Sequence, residues 1–290
     1  MHTRFRPHIV VFLLPAVLIY SLFMIYPLIT SLWLSLNNQT QNGPVHFVGL
    51  ANYVRLFQAP EFAGAFWNAL WNNVKFFLIH MAVQNPVGLL LAVLLSRKLV
   101  GTAFYRTVIF TPAVLSVVII GFAWRLILNP QWGFHTTLLG LPGTALITVA
   151  LISVWQNVGI PMMLFTAALM RIPEEFYEAA RVDGATPWRV FWSIQLPLLL
   201  PTLGIVGILT FVGNFNAFDL IYATQGALGG PNFSTDLLGT LFYRTYQGFQ
   251  LQLGDPYMGS TIAGAMLLII LAGVLIYLIA WQRRIQDLQF

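Results

Sequence analysis

The chain has 290 residues, of which 58% are hydrophobic and 8% charged, with a formal net charge of +5 and no cysteine. Soluble domains carry about 25% charged residues, so these proportions exclude a water-facing globular surface and describe an integral membrane protein. The lack of thiols excludes disulfides, thiolate metal sites and cysteine nucleophiles, and the basic residues are scattered rather than gathered into a nucleic-acid-binding patch.

Apolar runs predict six spans, at about 9–36, 71–95, 104–128, 146–170, 198–222 and 258–281. Each is near the length of about 20 residues that crosses a hydrocarbon core. The first is too long for a signal-peptide core and lacks a following small-x-small cleavage site. Pro15, Pro27, Pro86, Pro112 and Pro161 fall inside or at the edges of spans, which bundles tolerate where neighbours satisfy the freed carbonyls. Trp67, Trp71, Trp124, Trp132, Tyr222 and Trp281 sit near span ends as an aromatic belt. The intervening outer loops, 37–70, 129–145 and 223–257, are rich in Gly, Asn, Gln and Pro and predict short helices at most. With no internal repeat, low-complexity tract or soluble insertion, residues 1–290 read as a single transmembrane domain.

Positive charge sets the orientation. Arg4, Arg6, Arg97, Lys98, Arg106, Arg171, Arg181, Arg189, Arg283 and Arg284 fall on one side of a six-span chain. The other side has Arg55 and Arg244, with Lys75 and Arg125 near its boundary. Cytoplasmic loops carry the excess of Lys and Arg, so both termini and the segment 171–197 are predicted to be cytoplasmic.

That segment is the most polar stretch between spans. Pro173 opens a short helix with Glu174 and Glu175 in its first turn, where the helix dipole favours negative charge. Phe176, Ala179 and Ala180 share a small, apolar face, and Gly184 supplies a stop. Thr186-Pro187 reads as the N-cap and first position of a second short helix, ending where Pro197 and Pro201 begin the next span. Glu178, Ala179, Ala180, Asp183, Gly184 and Ala185, followed by Phe191, Ile194, Leu196 and Pro197, resemble the "EAA" loop of ATP-binding-cassette (ABC) importer permeases. In that family the loop is a cytoplasmic plug for a groove on the ATPase.

The resemblance extends to carbohydrate importers through Phe47–Tyr53, Arg97-Lys98-Leu99 with Phe104–Thr107, Asn129-Pro130 with Gly133, and Gly229-Gly230-Pro231 with Ser234-Thr235. It implies an all-α, six-helix, type I ABC importer permease fold with coupling helices between spans 4 and 5, in a bacterial or archaeal cytoplasmic membrane. The Gly-Gly-Pro loop and the tail Trp281–Arg284 resemble the maltose-permease-like first subunit of a heterodimer. The implied partners are a second permease, an ABC ATPase dimer that binds ATP and magnesium, an extracytoplasmic solute-binding protein and a sugar. No cofactor is expected in this chain, which has no G-x-x-x-x-G-K-[ST].

In maltose permeases, sugar contacts come from the spans flanking the loop. The resemblance aligns Gly159 with a contact glycine, places Met162 where an aromatic contact stands, and preserves a hydroxyl at Thr210 and an asparagine at Asn214. Gly213 and Ala217 replace a phenylalanine and an asparagine, so the implied pocket is roomier and has fewer amides, and the resemblance does not single out maltose as the cargo. The residues alone lead to the same span. Asn214 and Asn216 are costly against lipid and are expected to face a cavity or another helix. At about 1.5 Å per residue, Asn214 lies about 24 Å from Leu198. Phe211, Phe215 and Phe218 could cover the apolar faces of a sugar ring.

Other residues suggest no chemistry of their own. His2, His8, His46, His80 and His135 have no metal-ligand spacing, and His80 reads as a packed histidine. Lys75 and Arg125 can snorkel to headgroups, and Asp255 and Arg244 read as loop charges or contacts to an external partner. No catalytic constellation is present. The competing readings are the same importer with a glycerol phosphodiester or oligopeptide as cargo, an ion-coupled carrier, and an intramembrane enzyme. A carrier would more often show paired repeats and midplane ionisable groups.

Overall fold

A computed structural model describes residues 7–39, 43–96, 100–131, 137–250 and 252–282. Arg4, Arg6, Arg97, Lys98, Arg283 and Arg284, which carry much of the orientation argument, lie outside the described residues, as do His2, Trp132, Gly133 and His135.

The chain opens with α1 (Pro7–Tyr20), a π-helical segment (Ser21–Ile25) and α2 (Tyr26–Ser35). A hairpin of β1 (Asn37–Gln39) and β2 (Val45–Phe47) follows, with Asn37 opposite Phe47. Next come α3 (Ala51–Gln58) and α4 (Pro60–Ile79), which runs through a second π segment (His80–Gln84) into α5 (Asn85–Leu95). Then α6 (Thr102–Val114), α7 (Val117–Ile127), α8 (Ala145–Asn157), α9 (Gly159–Leu169), α10 (Glu174–Val182) and α11 (Pro187–Val190). A third π segment (Phe191–Gln195) joins α11 to α12 (Leu196–Phe215), and α13 (Asp219–Gln225) follows. A 3-10 turn (Pro231–Phe233), α14 (Leu238–Gln247), the short pairing of β3 (Gly248–Phe249) with β4 (Gln252–Leu253), α15 (Pro256–Tyr277) and a fourth π segment (Leu278–Gln282) complete the described elements.

Among the described residues, four continuous helices are long and apolar enough to cross a membrane: Val11–Ser35, Pro60–Leu95, Pro187–Phe215 and Pro256–Ala280. Two bent pairs raise the number to as many as six, if each pair is one span. α6 and α7 meet at 94°, and α8 and α9 at 42°. Thus the run 104–128 turns sharply, and the run 146–170 is kinked at Val158. Proline accounts for the second bend: Pro161 has no N–H for the Asn157 carbonyl, which frees the ladder at that turn. The run 198–222 is also divided, because α12 stops at Phe215 and α13 starts at Asp219.

Pro197 and Pro201 do not open a new helix. The second short helix predicted after Gly184 is the head of one unbroken helix, Pro187–Phe215. The same device recurs at three of the four described π segments: Ser21–Ile25, His80–Gln84 and Phe191–Gln195 each end two residues before a proline, Pro27, Pro86 and Pro197, whereas no proline follows Leu278–Gln282. A proline clashes with the carbonyl four residues back and offers it no hydrogen. Widening the preceding turn shifts the register and lets the helix continue.

The described residues form two compact units. In the first (Met1–Gly64 with Phe242–Leu267), Asn52 Nδ2 donates to the carbonyls of Ser35 and Asn37 at 3.0 and 2.8 Å, tying α3 to the end of α2. Asp255 Oδ1 accepts from the amides of Tyr257 and Met258 at 3.0 and 2.9 Å, so this residue caps α15 with Pro256 as its first turn. In the second unit (Ala65–Leu241 with Leu268–Phe290), one apolar cluster gathers Phe76, Ile120, Val149, Ile221 and Leu237. Another gathers Ala92, Met162, Phe165, Leu199 and Val206. Outward-facing side chains on the helices are themselves apolar, as at Phe12, 82% exposed, and Phe104, 68%, which is the surface a lipid-facing bundle presents.

Candidate functional site

The turn at Gly184 is built from backbone hydrogen bonds alone. Gly184 adopts φ +66°; its amide donates to Arg181 at 3.1 Å, and the Ala185 amide reaches back to Ala180 at 2.8 Å. This is a Schellman stop, in which a left-handed residue lets two amides close the last helical carbonyls. Thr186 then caps α11, its Oγ1 accepting from the Arg189 amide at 3.4 Å. Ala180 is buried, whereas Glu178, Ala179, Asp183 and Gly184 are exposed and Ala185 is half-buried. Glu178 and Asp183 form no ion pair among the described residues. Around the turn, Val182 is 89% and Trp188 70% exposed. The result is a protruding knob with an apolar rim and free carboxylates.

In the same unit, a cavity of about 380 Å³ opens between the π segment His80–Gln84, α8, α9 and α12. Three helical segments each contribute a polar pair four residues apart: His80 and Gln84, Ser153 and Asn157, Thr210 and Asn214. That spacing puts both members on one helix face. His80 Nε2 lies 3.0 Å from Ser153 Oγ and its Nδ1 lies 2.8 Å from the Phe76 carbonyl, so it bridges two helices. Thr210 Oγ1 donates to the Val206 carbonyl at 2.8 Å and lies 3.2 Å from Asn85 Oδ1. Asn214 Nδ2 donates to the Thr210 carbonyl at 2.7 Å, leaving Oδ1 without a donor among the described residues.

Of the six positions aligned with sugar contacts, Thr210, Gly213, Asn214 and Ala217 line this cavity. Gly159 and Met162 are not brought to it. A Cβ on Gly159 would lie 2.7 Å from Phe110 Cα, so this position is a close crossing of α9 and α6. Met162 is fully buried among apolar side chains. The aromatic ring on the wall is Phe76; Phe211 instead stacks with Phe77 and Phe215. Asn216 is exposed and bonds back to Val212. No lysine or arginine is among the described lining residues: Lys75 lies over the Trp71 ring, and Arg125 borders a separate pocket. Gln84 and Ser153 were not singled out from sequence, although the polar i, i+4 pairs inside apolar runs were there to be read.

A family described as the binding-protein-dependent transport system inner membrane component matches residues 84–286, a range that holds both the knob and nearly all of the cavity wall. The chain belongs to this family. The permease is 36% identical over 250 residues to the probable ABC transporter permease protein YurN of Bacillus subtilis, covering 81% of this chain and 83% of YurN. It is 30% identical over 278 residues to the trehalose/maltose transport system permease protein MalF of Thermococcus litoralis, covering 92% and 90%. A solved bacterial ABC transporter that imports the acidic polysaccharide alginate superposes with a TM-score of 0.77 at 22% identity, over 95% of both chains. The permease therefore has the type I ABC importer permease fold and is a multi-pass membrane subunit of a transport system, with no catalysis of its own.

Proposed function

We propose that the permease forms half of the path by which an ATP-driven importer moves a neutral mono- or oligosaccharide into the cell. A second permease supplies the other half, a separate ATPase dimer supplies the power, and an extracytoplasmic binding protein delivers the sugar. In this reading each bent helix pair counts as one span, giving six, with both termini and the knob in the cytoplasm. The single observation that carries the cargo assignment is the cavity wall. It offers amides and hydroxyls from three spans beside the Phe76 ring and no cationic side chain among its described residues. Hydroxyl groups find donors and acceptors there, while a phosphate or carboxylate finds no countercharge. Thr210, Gly213, Asn214 and Ala217 are the proposed sugar-facing positions, with Gly159 and Met162 supporting them from behind.

The complete complex in proteoliposomes is expected to accumulate trehalose or maltose only when ATP is supplied on the cytoplasmic face, and not to accumulate sn-glycerol-3-phosphate. Uptake driven by an ion gradient without ATP would make the protein a secondary carrier instead.

Glu178, Ala179, Ala180, Asp183, Gly184 and Ala185 are the proposed ATPase-coupling positions. ATPase closure would push this knob as one body and, because α11 is continuous with α12, rock the cavity wall directly. Glu178 is placed to pair with a basic residue of the ATPase. A Cβ at Gly184 meets nothing within 4 Å, so any effect of substitution there comes from the backbone. A side chain forced into the left-handed region costs about 1–2 kcal/mol, and asparagine tolerates it. Gly184→Val is expected to cut ATPase co-purification and transport about tenfold, with Gly184→Asn near wild type. Equal behaviour of the two variants would show that the turn's conformation is irrelevant to coupling.

A further inference from the structure

One amide on the cavity wall is turned a particular way by a chain of bonds that begins at a backbone carbonyl. His80 Nδ1 lies 2.8 Å from the Phe76 carbonyl oxygen, which can only accept, so in the neutral ring Nδ1 carries the hydrogen. Nε2 then holds the lone pair, and Ser153 Oγ donates to it at 3.0 Å. With its hydrogen engaged, Ser153 Oγ faces Asn157 as an acceptor, 3.5 Å from Nδ2, while the Ser153 carbonyl accepts from the same Nδ2 at 2.9 Å. Turning the Asn157 amide over would set its oxygen against two acceptors. Nδ2 is therefore committed to the preceding turn of α8, and Oδ1 occupies the opposite side of the amide.

That oxygen has no hydrogen-bond partner among the described residues. It is also open. The side-chain oxygens of this unit that are both unpartnered and sealed from solvent include Gln84 Oε1 and Gln156 Oε1 but not Asn157 Oδ1, and Asn157 is a half-buried residue of the cavity wall. Asn157 is the last residue of α8, at the 42° bend into α9. A cargo that fills the cavity displaces solvent from such an oxygen, and only a donated hydrogen restores the bond. A hydroxyl group brings one without bringing charge.

We propose that Asn157 is a specificity-determining residue, its Oδ1 accepting a hydrogen bond from a hydroxyl of the transported sugar while Ser153 and His80 hold the amide in that orientation. This rests on the reading of the cavity as the sugar path, and it adds a contact on α8 to the four positions assigned on and just after α12. A sugar that lacks this hydroxyl, or carries a pure acceptor in its place, leaves the oxygen unpaired.

The test uses the complete complex in proteoliposomes, with trehalose, maltose and their deoxy and deoxyfluoro analogues as probes. The trehalose analogues carry the change on both of its equivalent rings. Fluorine cannot donate, so a fluoro sugar should be rejected as its deoxy counterpart is. The wild type is expected to move the analogues altered at one hydroxyl about tenfold more slowly than the parent sugar, the worth of one hydrogen bond. Asn157→Leu and Asn157→Ala should each slow the parent sugar by a similar factor and lose the discrimination at that hydroxyl. Ser153→Ala should weaken discrimination at the same hydroxyl and at no other. The same binding protein serves every variant, so a changed ratio belongs to the permease. A fluoro sugar carried as fast as the parent where the deoxy sugar is not would make the hydroxyl an acceptor and overturn the proposal. A lowered melting midpoint with unchanged sugar ratios in both Asn157 variants would make Asn157 a structural residue and overturn it too. Unchanged ratios in Ser153→Ala alone would remove the orienting chain. Asn214→Ala separates the two levels of failure. If it alters sugar ratios while the Asn157 variants do not, the Asn157 contact alone is wrong. If no variant alters them, or the wild type carries neither trehalose nor maltose, the reading of the cavity as the sugar path falls.

Discussion

Asn73→Leu is expected to lower the melting midpoint of the purified complex by several degrees and to reduce the amount recovered from the membrane. Asn73 is fully buried, and its two amide atoms serve different elements. Nδ2 donates to the Asn214 carbonyl at 2.8 Å, in the last turn of α12. Oδ1 accepts from the Leu238 amide at 2.8 Å, at the first residue of α14. Both groups are helix-end groups with no intrahelical partner assured, the kind a fold must satisfy from outside. The Asn214 carbonyl keeps a turn bond from the Ala217 amide at 3.3 Å, but the buried Leu238 amide would have nothing. Leaving such a donor unpaired costs about 1–3 kcal/mol. At about 2–4 °C per kcal/mol for a chain this size, the midpoint should fall by about 2–12 °C. Asn68→Ala is the internal control. Asn68 Nδ2 donates to the Phe233 carbonyl at 3.0 Å, but Asn72 also reaches that carbonyl at 3.3 Å, so its loss is covered. Equal destabilisation by the two variants, measured by thermal unfolding in detergent, would contradict the accounting.

Asn73 also shows why part of the fold was invisible in the sequence. It lies in the run Trp71–Asn73 at the edge of an apolar segment, where an amide reads as interfacial. Only the tertiary fold places it between α12 and α14. The knob was legible for the opposite reason. Its Schellman stop, its proline and threonine caps and its acidic first turn are all decided within a few residues, so local chemistry fixes them. The span pattern falls between these cases. Composition locates the apolar runs, but the 94° turn after α6 and the early stop of α12 depend on which neighbours accept the freed backbone groups. The cavity wall was half legible. Thr210 and Asn214 came forward through family resemblance, whereas His80, Gln84, Ser153 and Asn157 needed the convergence of spans to become one surface. Residue identity marks a polar group in an apolar helix, but not whether it will meet a partner, a cavity or both.

Gly159 is where resemblance and geometry lead to different expectations, and it yields the second large effect. By alignment it matches a sugar-contact glycine; in the structure it is where α9 approaches α6. A Cβ there would fall 2.7 Å from Phe110 Cα and 2.9 Å from the Ile109 carbonyl oxygen, both backbone atoms that no rotamer change can move. On its other side α9 is held by a second glycine, since a Cβ on Gly88 would lie 2.9 Å from Pro161 Cγ and 3.1 Å from the Met162 amide nitrogen. α9 is thus gripped between two small-residue crossings, the packing that substitutes for hydrophobic force inside a membrane. Gly159→Val therefore cannot be absorbed locally: α6 or α9 must move outward, and Pro161 and Met162 lose their fit against α5. Overpacking of this kind costs about 1–3 kcal/mol or more. Gly159→Val is expected to abolish recovery of assembled complex, and Gly159→Ala to lower the melting midpoint while leaving the selectivity of transport among sugars unchanged. The opposite result, altered sugar ratios at an unchanged midpoint, would place Gly159 against the cargo and make the resemblance the better guide at this position.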